Sequence, residues 1–158
     1  MKLSIILLIF VGLSLNLNSA YSASGAGLDS TGSSLYKSGK NLITRAKKLE
    51  KKEKIEKAKT LYLKALGKLE KAYDKDKKNA DILNYLGFAL RKTGDFDKAE
   101  KFYLEGLKID AGHLGINEYL GELYVQTNRI DLAKERLEVL NGCECEEYDE
   151  LKELIEKN

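Results

Sequence analysis

Along most of this chain, apolar residues recur three and four positions apart. In "YLGFALRKTGDFDKAEKFYLEGLKID", residues 85–110, they outline two amphipathic helices separated by a turn at Gly94. The stripe Tyr62, Ala65, Leu66, Leu69, Ala72 and Tyr73 outlines another helix upstream. Tyr148, Leu151, Leu154 and Ile155 share one face of a helix expected over 146–157. Lys, Glu, Leu and Ala dominate from Leu35 onward and proline is absent, so the chain reads as all-α. Yet Gly87 and Gly106 stand inside helices, where glycine costs about 1 kcal/mol relative to alanine. Packing must favour them.

The pattern repeats. Leu86-Gly87 returns as Leu120-Gly121, 34 residues on, and at the same offset Leu90 answers Tyr124, Phe96 answers Ile130, Ala99 answers Ala133, and Tyr103 answers Leu137. Upstream, 49–66 matches 90–107 at an offset of 41, pairing Leu49, Ile55, Ala58 and Tyr62 with Leu90, Phe96, Ala99 and Tyr103. The extra seven residues are about two helical turns, which lengthen the second helix of the first unit without rotating its apolar face. A period of 34 with two helices per unit is the mark of a helical solenoid.

With its Leu-Gly, its Gly-Asp-Phe turn, Ala99 and Tyr103, the 80–113 unit resembles the tetratricopeptide repeat family. The 114–145 unit keeps Gly121, Tyr124, Ala133 and Leu137 but has Asn128-Arg129 at the turn. The first unit, about 39–79, has Ala46 as its small residue and Glu53-Lys54 at the turn. The family's usual proline near the unit end is missing throughout. The resemblance implies a right-handed α-α superhelix of about three units with a capping helix over 146–157, seven helices in a domain spanning 37–158. It also implies that Gly87 and Gly121 admit the second helix of their own pair, while Gly106 packs on the next unit. Gly94 suits a turn of positive φ.

Such arrays bind peptides or proteins on the concave face lined by the first helix of each unit. By resemblance, Lys40, Ile43, Lys47, Lys51, Asp81, Asn84, Phe88, Arg91, Lys92, Glu118, Glu122, Val125 and Gln126 are exposed there. Phe88 is the expected aromatic anchor, the competing reading being that it packs between units. Lys47, Asn84 and Arg91 are similar in type to the sets that hold a terminal carboxylate in some members, although their spacing does not reproduce that clamp.

Charge and the chain ends refine this picture. Residues 37–78 carry 16 Lys/Arg against 6 Asp/Glu, and 79–158 carry 10 against 18. Such a dipole fits self-association, or an anionic surface bound by the basic helices of 37–78. It equally fits lysines paired with helical glutamates on solvated faces. Lys2, the apolar run to about Leu17 and the small residues after it read as a secretory signal peptide over 1–23. Export to the periplasm is therefore expected, with secretion or an uncleaved membrane anchor as alternatives. Membrane contact is expected only if the segment is uncleaved, and nucleic acid is not an expected partner. Ser- and Gly-rich 24–36 reads as a flexible linker.

Catalytic chemistry is sparse. His113 is the only histidine and lies between units, as a surface or capping residue. No phosphate loop, nucleophile set or metal-ligand spacing occurs, so no cofactor, metal or catalytic residue is expected. Cys143 and Cys145 have three readings: a local bridge or structural thiol pair, an intermolecular link, or redox or metal duty.

Overall fold

The computed structural model describes residues 26–158. Among them are seven helices and no strands: α1 Ala26–Glu50, α2 Ile55–Tyr73, α3 Ala80–Thr93, α4 Phe96–Ile109, α5 Leu114–Gln126, α6 Ile130–Val139 and α7 Glu146–Glu156. The order is simple: three antiparallel pairs and a final helix resting on α5 and α6. The backbone of α3 approaches those of α1 and α5, whereas those of α2, α4 and α6 do not approach one another. The array therefore curves with the first helix of each pair inside. The signal segment expected over 1–23 lies outside the described residues, and no described helix is long and apolar enough to cross a membrane.

Three turns join the helices within the pairs, and each places one residue in the left-handed region: Glu53 at φ 56°, Gly94 at φ 98° and Asn128 at φ 57°. In each, the next N–H donates back five residues, Lys54 to Leu49 O, Asp95 to Leu90 O and Arg129 to Tyr124 O. This closure satisfies helix-end carbonyls. The turn is thus built three times over, although only one copy has the glycine that suits it. Side chains cap the starts of α3, α4 and α5: Asn79 accepts from Ile82 N–H, Asp95 from Lys98 N–H, and His113 Nδ1 from Ile116 N–H.

The flexible linker expected over 24–36 is corrected from residue 26 onward, where α1 already runs. The lengthened α2 supplies the reason. Its extra turns give α1 a partner along which to continue, and the small residues allow close approach. A Cβ at Gly39 would lie 2.7 Å from Leu69, and one at Gly32 would lie 3.2 Å from the Lys75 Cβ. Leu35 and Tyr36 pack on the core formed by Tyr62, Leu69, Leu86 and Phe88. Tertiary packing overrides the weak local propensity of Ser and Gly.

The inner glycines have steric causes. A Cβ at Gly87 would sit 2.5–2.7 Å from the ring of Tyr103, which is fully buried on α4. Gly106 meets Ile116 of the next pair, as expected. Gly121 differs: its neighbour is Leu151 of α7, at 2.5 Å from the ideal Cβ, not a residue of α6. The ring of Tyr103 has only the shorter Leu137 as its counterpart on α6, and the capping helix fills the hollow instead. Ala99 and Ala133 are fully buried at the matching positions of the second helices. Cys143 and Cys145 form a local disulfide at the joint between α6 and α7, with Cα atoms 5.2 Å apart.

Candidate functional site

The inner face does not present its residues as the repeat register implies. Ile43, Asn84, Phe88, Arg91, Glu118 and Val125 are buried. Lys40, Lys47, Lys51, Asp81 and Gln126 are exposed, and Lys92 and Glu122 are half-buried. The correction has a geometric cause: α3 is the central inner helix, flanked by α1 and α5 and backed by α2. Phe88, expected as an exposed anchor, is 2 % exposed, with Tyr62 of α2 at 5.9 Å and Tyr119 of α5 at 4.7 Å between ring centroids. It is an inter-unit core residue.

Around Phe88 the polar residues form a network. The Arg91 guanidinium pairs with Glu122 and lies 5.4 Å from the Phe88 centroid. Lys47 reaches over Phe88 and Tyr119 at 5.6 and 5.8 Å, and Lys92 pairs with Glu50 at 2.9 Å. Glu50 also accepts the Tyr62 hydroxyl at 2.9 Å. The Arg91–Glu122 contact is a charge pair without aligned hydrogen bonds, since no Arg91 nitrogen has a hydrogen-bond partner. Lys47, Phe88, Arg91, Lys92, Glu118 and Glu122 therefore meet, but largely as the structural joint between the three pairs. Burying such a pair adds little net stability, whereas removing one partner strands the other charge.

Glu118, Glu122 and Glu150 bring carboxylate oxygens within 4.8 Å of one another. These three could face a cation, but Arg91 already neutralises Glu122. Burial, helped by the charge of Glu122 and by Glu150, pushes the Glu118 carboxyl up to about 9. A protonated Glu118 relieves the repulsion without a bound ion.

The open part of the face lies beside this joint. A cavity of about 390 Å³ is lined by Asp81, Asn84 and Tyr85 of α3, Asp110, Gly112 and His113 of the α4–α5 connection, Gly115, Glu118 and Tyr119 of α5, and Glu147 of α7. Tyr85 contacts Tyr36 at 5.8 Å between centroids, and Lys40 lies 5.4 Å from its ring centre. Of the expected binding residues, only Asn84 and Glu118 line this cavity, with Asp81 from the wider face. Tyr85, Tyr119, His113, Asp110 and Glu147 were not expected. Tyr85 and Tyr119 are 34 residues apart, so the repeat offset itself carries their signal.

A second hollow of about 780 Å³ lies between α1 and α2, lined by Ser38, Leu42, Lys64, Gly67, Lys68, Glu70, Lys71 and Asp74.

The family model described as tetratricopeptide repeat matches residues 80–113. No curated protein matches the chain in sequence. Among solved structures, the second tetratricopeptide domain of human RPAP3, determined with the HSP70 peptide SGPTIEEVD, is 19% identical. It superposes with a TM-score of 0.53 over 80% of this chain and 99% of that one. The tetratricopeptide domain of Arabidopsis OM64 is 14% identical, with a TM-score of 0.50 over 78% and 98%. The Yersinia enterocolitica type III secretion translocator chaperone SycD is 17% identical, with a TM-score of 0.50 over 75% and 81%. These likenesses agree with the paired helices, the thrice-built turn and the small residues at helix contacts. Residues 80–113 thus match the tetratricopeptide repeat in sequence, and the chain shares the fold of solved tetratricopeptide domains.

Proposed function

We propose that the protein is a non-catalytic adaptor that holds a peptide or protein segment on its inner face. The observation that carries this reading is the open cavity between Tyr85 and Tyr119, two repeat-related aromatic residues on adjacent inner helices. Half-buried tyrosines beside a polar hollow offer apolar contact area and hydrogen bonding at low entropic cost. The RPAP3 domain with its HSP70 peptide supports the idea that this fold can serve such a role. The leader-like sequence of residues 1–23 supports assigning this work to the periplasm or cell envelope.

A second reading rests on the α1–α2 hollow. Lys64, Lys68 and Lys71 recur at helical spacing beside Leu42, an arrangement suited to an anionic lipid or envelope polymer. Capture of binding proteins from the native envelope separates the two. Tyr85→Ala should abolish capture, and a Lys64/Lys68/Lys71→Glu triple variant should leave it intact. Capture that survives Tyr85→Ala but is lost in the triple variant transfers the function to the basic helices.

A further inference from the structure

The cavity on the inner face has a one-sided polarity. Its lining carries four carboxyl groups, Asp81, Asp110, Glu118 and Glu147, one imidazole, and no lysine or arginine. Burial holds Glu118 neutral near pH 7, which leaves three carboxylates drawn from three separate elements. Among the described residues, neither Asp110 nor Glu147 has an ion-pair partner. Asp81 has only His113, whose Nε2 is 3.5 Å away. Because His113 Nδ1 accepts the Ile116 N–H, Nε2 is the nitrogen that bears the proton and faces Asp81.

An independent feature points the same way. Asn84 lines this cavity, is 4 % exposed, and has an Oδ1 with no hydrogen-bond partner. Its carboxamide stands at the wall where Gly115 leaves room, since a Cβ there would lie 2.7 Å from Asn84 Nδ2. A buried acceptor left unmatched costs about 1–3 kcal/mol, and a ligand donor recovers that loss. The start of α5 opposes this polarity with roughly half a positive charge. Three carboxylates outweigh it. The rings of Tyr85 and Tyr119 already carry cations of the chain itself, Lys40 over one and Lys47 and Arg91 over the other, so selection falls to the carboxylates.

We infer that this cavity is a subsite for a basic side chain, lysine or arginine, of an extended peptide lying on the inner face. The guanidinium or ammonium donates to the carboxylates and, once the covered Asn84 carboxamide turns toward it, to Oδ1, and its aliphatic stem lies against the tyrosines. The inference rests on the peptide-binding reading above and specifies which peptides it admits.

The test uses the full chain, isotope-labelled, and four small probes: N-acetyl-argininamide, N-acetyl-lysinamide, N-acetyl-norleucinamide and N-acetyl-aspartamide. The basic probes should give saturable amide shifts centred on Gly112, Gly115 and Glu118. An Asp110→Asn/Glu147→Gln double variant of unchanged melting temperature should raise their Kd about three- to tenfold, and added salt should do likewise. Equal shifts with norleucinamide, stronger shifts with aspartamide, no saturable shift with any probe, or indifference to the double variant each overturn the inference. Selection of random heptapeptides on the full chain separates this from the wider reading. Enriched peptides should share a lysine or arginine. Enriched peptides that lack one, yet lose binding on Tyr85→Ala, overturn the subsite and leave the groove. If no enriched peptide responds to Tyr85→Ala, both fall.

Discussion

Glu53→Gly should make the protein more stable, although it removes a charged side chain and adds the most flexible residue. Glu53 occupies the left-handed position that Gly94 fills in the middle unit, at φ 56°. An L-residue with a Cβ there costs about 1–2 kcal/mol. Against that relief stands the unfolded-state entropy of glycine, about 0.5–1 kcal/mol. Glu53 makes no ion pair among the described residues, so removing it forfeits at most about 0.5 kcal/mol of surface attraction to nearby lysines. The net gain is about 0.5 kcal/mol. Gly94→Ala supplies the mirror experiment, because a Cβ at Gly94 would meet nothing within 4 Å. Only the backbone conformation is then perturbed, and the loss should be about 0.5–1 kcal/mol. Lys52→Gly, one residue earlier and not at positive φ, controls for flexibility and should be destabilising. Urea unfolding followed by circular dichroism reads all three as midpoint shifts of about 0.2–0.5 M at constant m. A lower midpoint for Glu53→Gly, or an unchanged one for Gly94→Ala, would refute the shared-turn argument.

Two further outcomes follow from burial and close contact. Glu118 holds a proton in the folded chain up to about pH 9, whereas the unfolded chain releases it near 4.5, so stability should fall as pH rises between those values. The slope is at most about 1.4 kcal/mol per pH unit. Glu118→Gln should match the parent at pH 5 and exceed it at pH 8, and parallel urea-midpoint profiles would contradict this. Gly87→Ala should destabilise, because its Cβ would enter the fully buried Tyr103 ring. Overpacking costs about 1–3 kcal/mol against a helix gain of about 1. Gly67→Ala, on α2 with nothing within 4 Å, should instead raise the thermal midpoint, and equal shifts for the two would dismiss the contact explanation.

The repeat was legible because self-similarity survives where composition is ambiguous. Gly87, Ala99 and Tyr103 announced a packing register, and the seven-residue surplus correctly announced a longer α2. Residues 26–36 were misread because Ser and Gly look the same in a linker as on a helix face pressed against a neighbour. Only the partner's length distinguishes the two. The exposure of Phe88, Arg91 and Asn84 failed for a related reason. Register assigns a residue to the inner face, but burial on that face depends on how many helices flank it. Tyr85 and Tyr119 kept their 34-residue relationship in full view. They carry the cavity because each stands beside the Leu-Gly pair that brings its helix close to the next.

Leu151 and Glu147 sit one turn apart on α7, one filling the hollow at Gly121 and the other lining the open cavity. One short helix thus closes the core and completes a wall of the open cavity. Under the proposed function, its attachment through the Cys143–Cys145 joint and Leu151 would bear on folding and ligand choice together. A substitution that loosens this helix would be scored in a binding screen as a contact residue while touching no ligand. Conversely, a ligand that grips Glu147 would tighten the core at Gly121. In the proposed peptide-binding reading, occupancy of the groove and melting temperature would be coupled through a single side of a single helix.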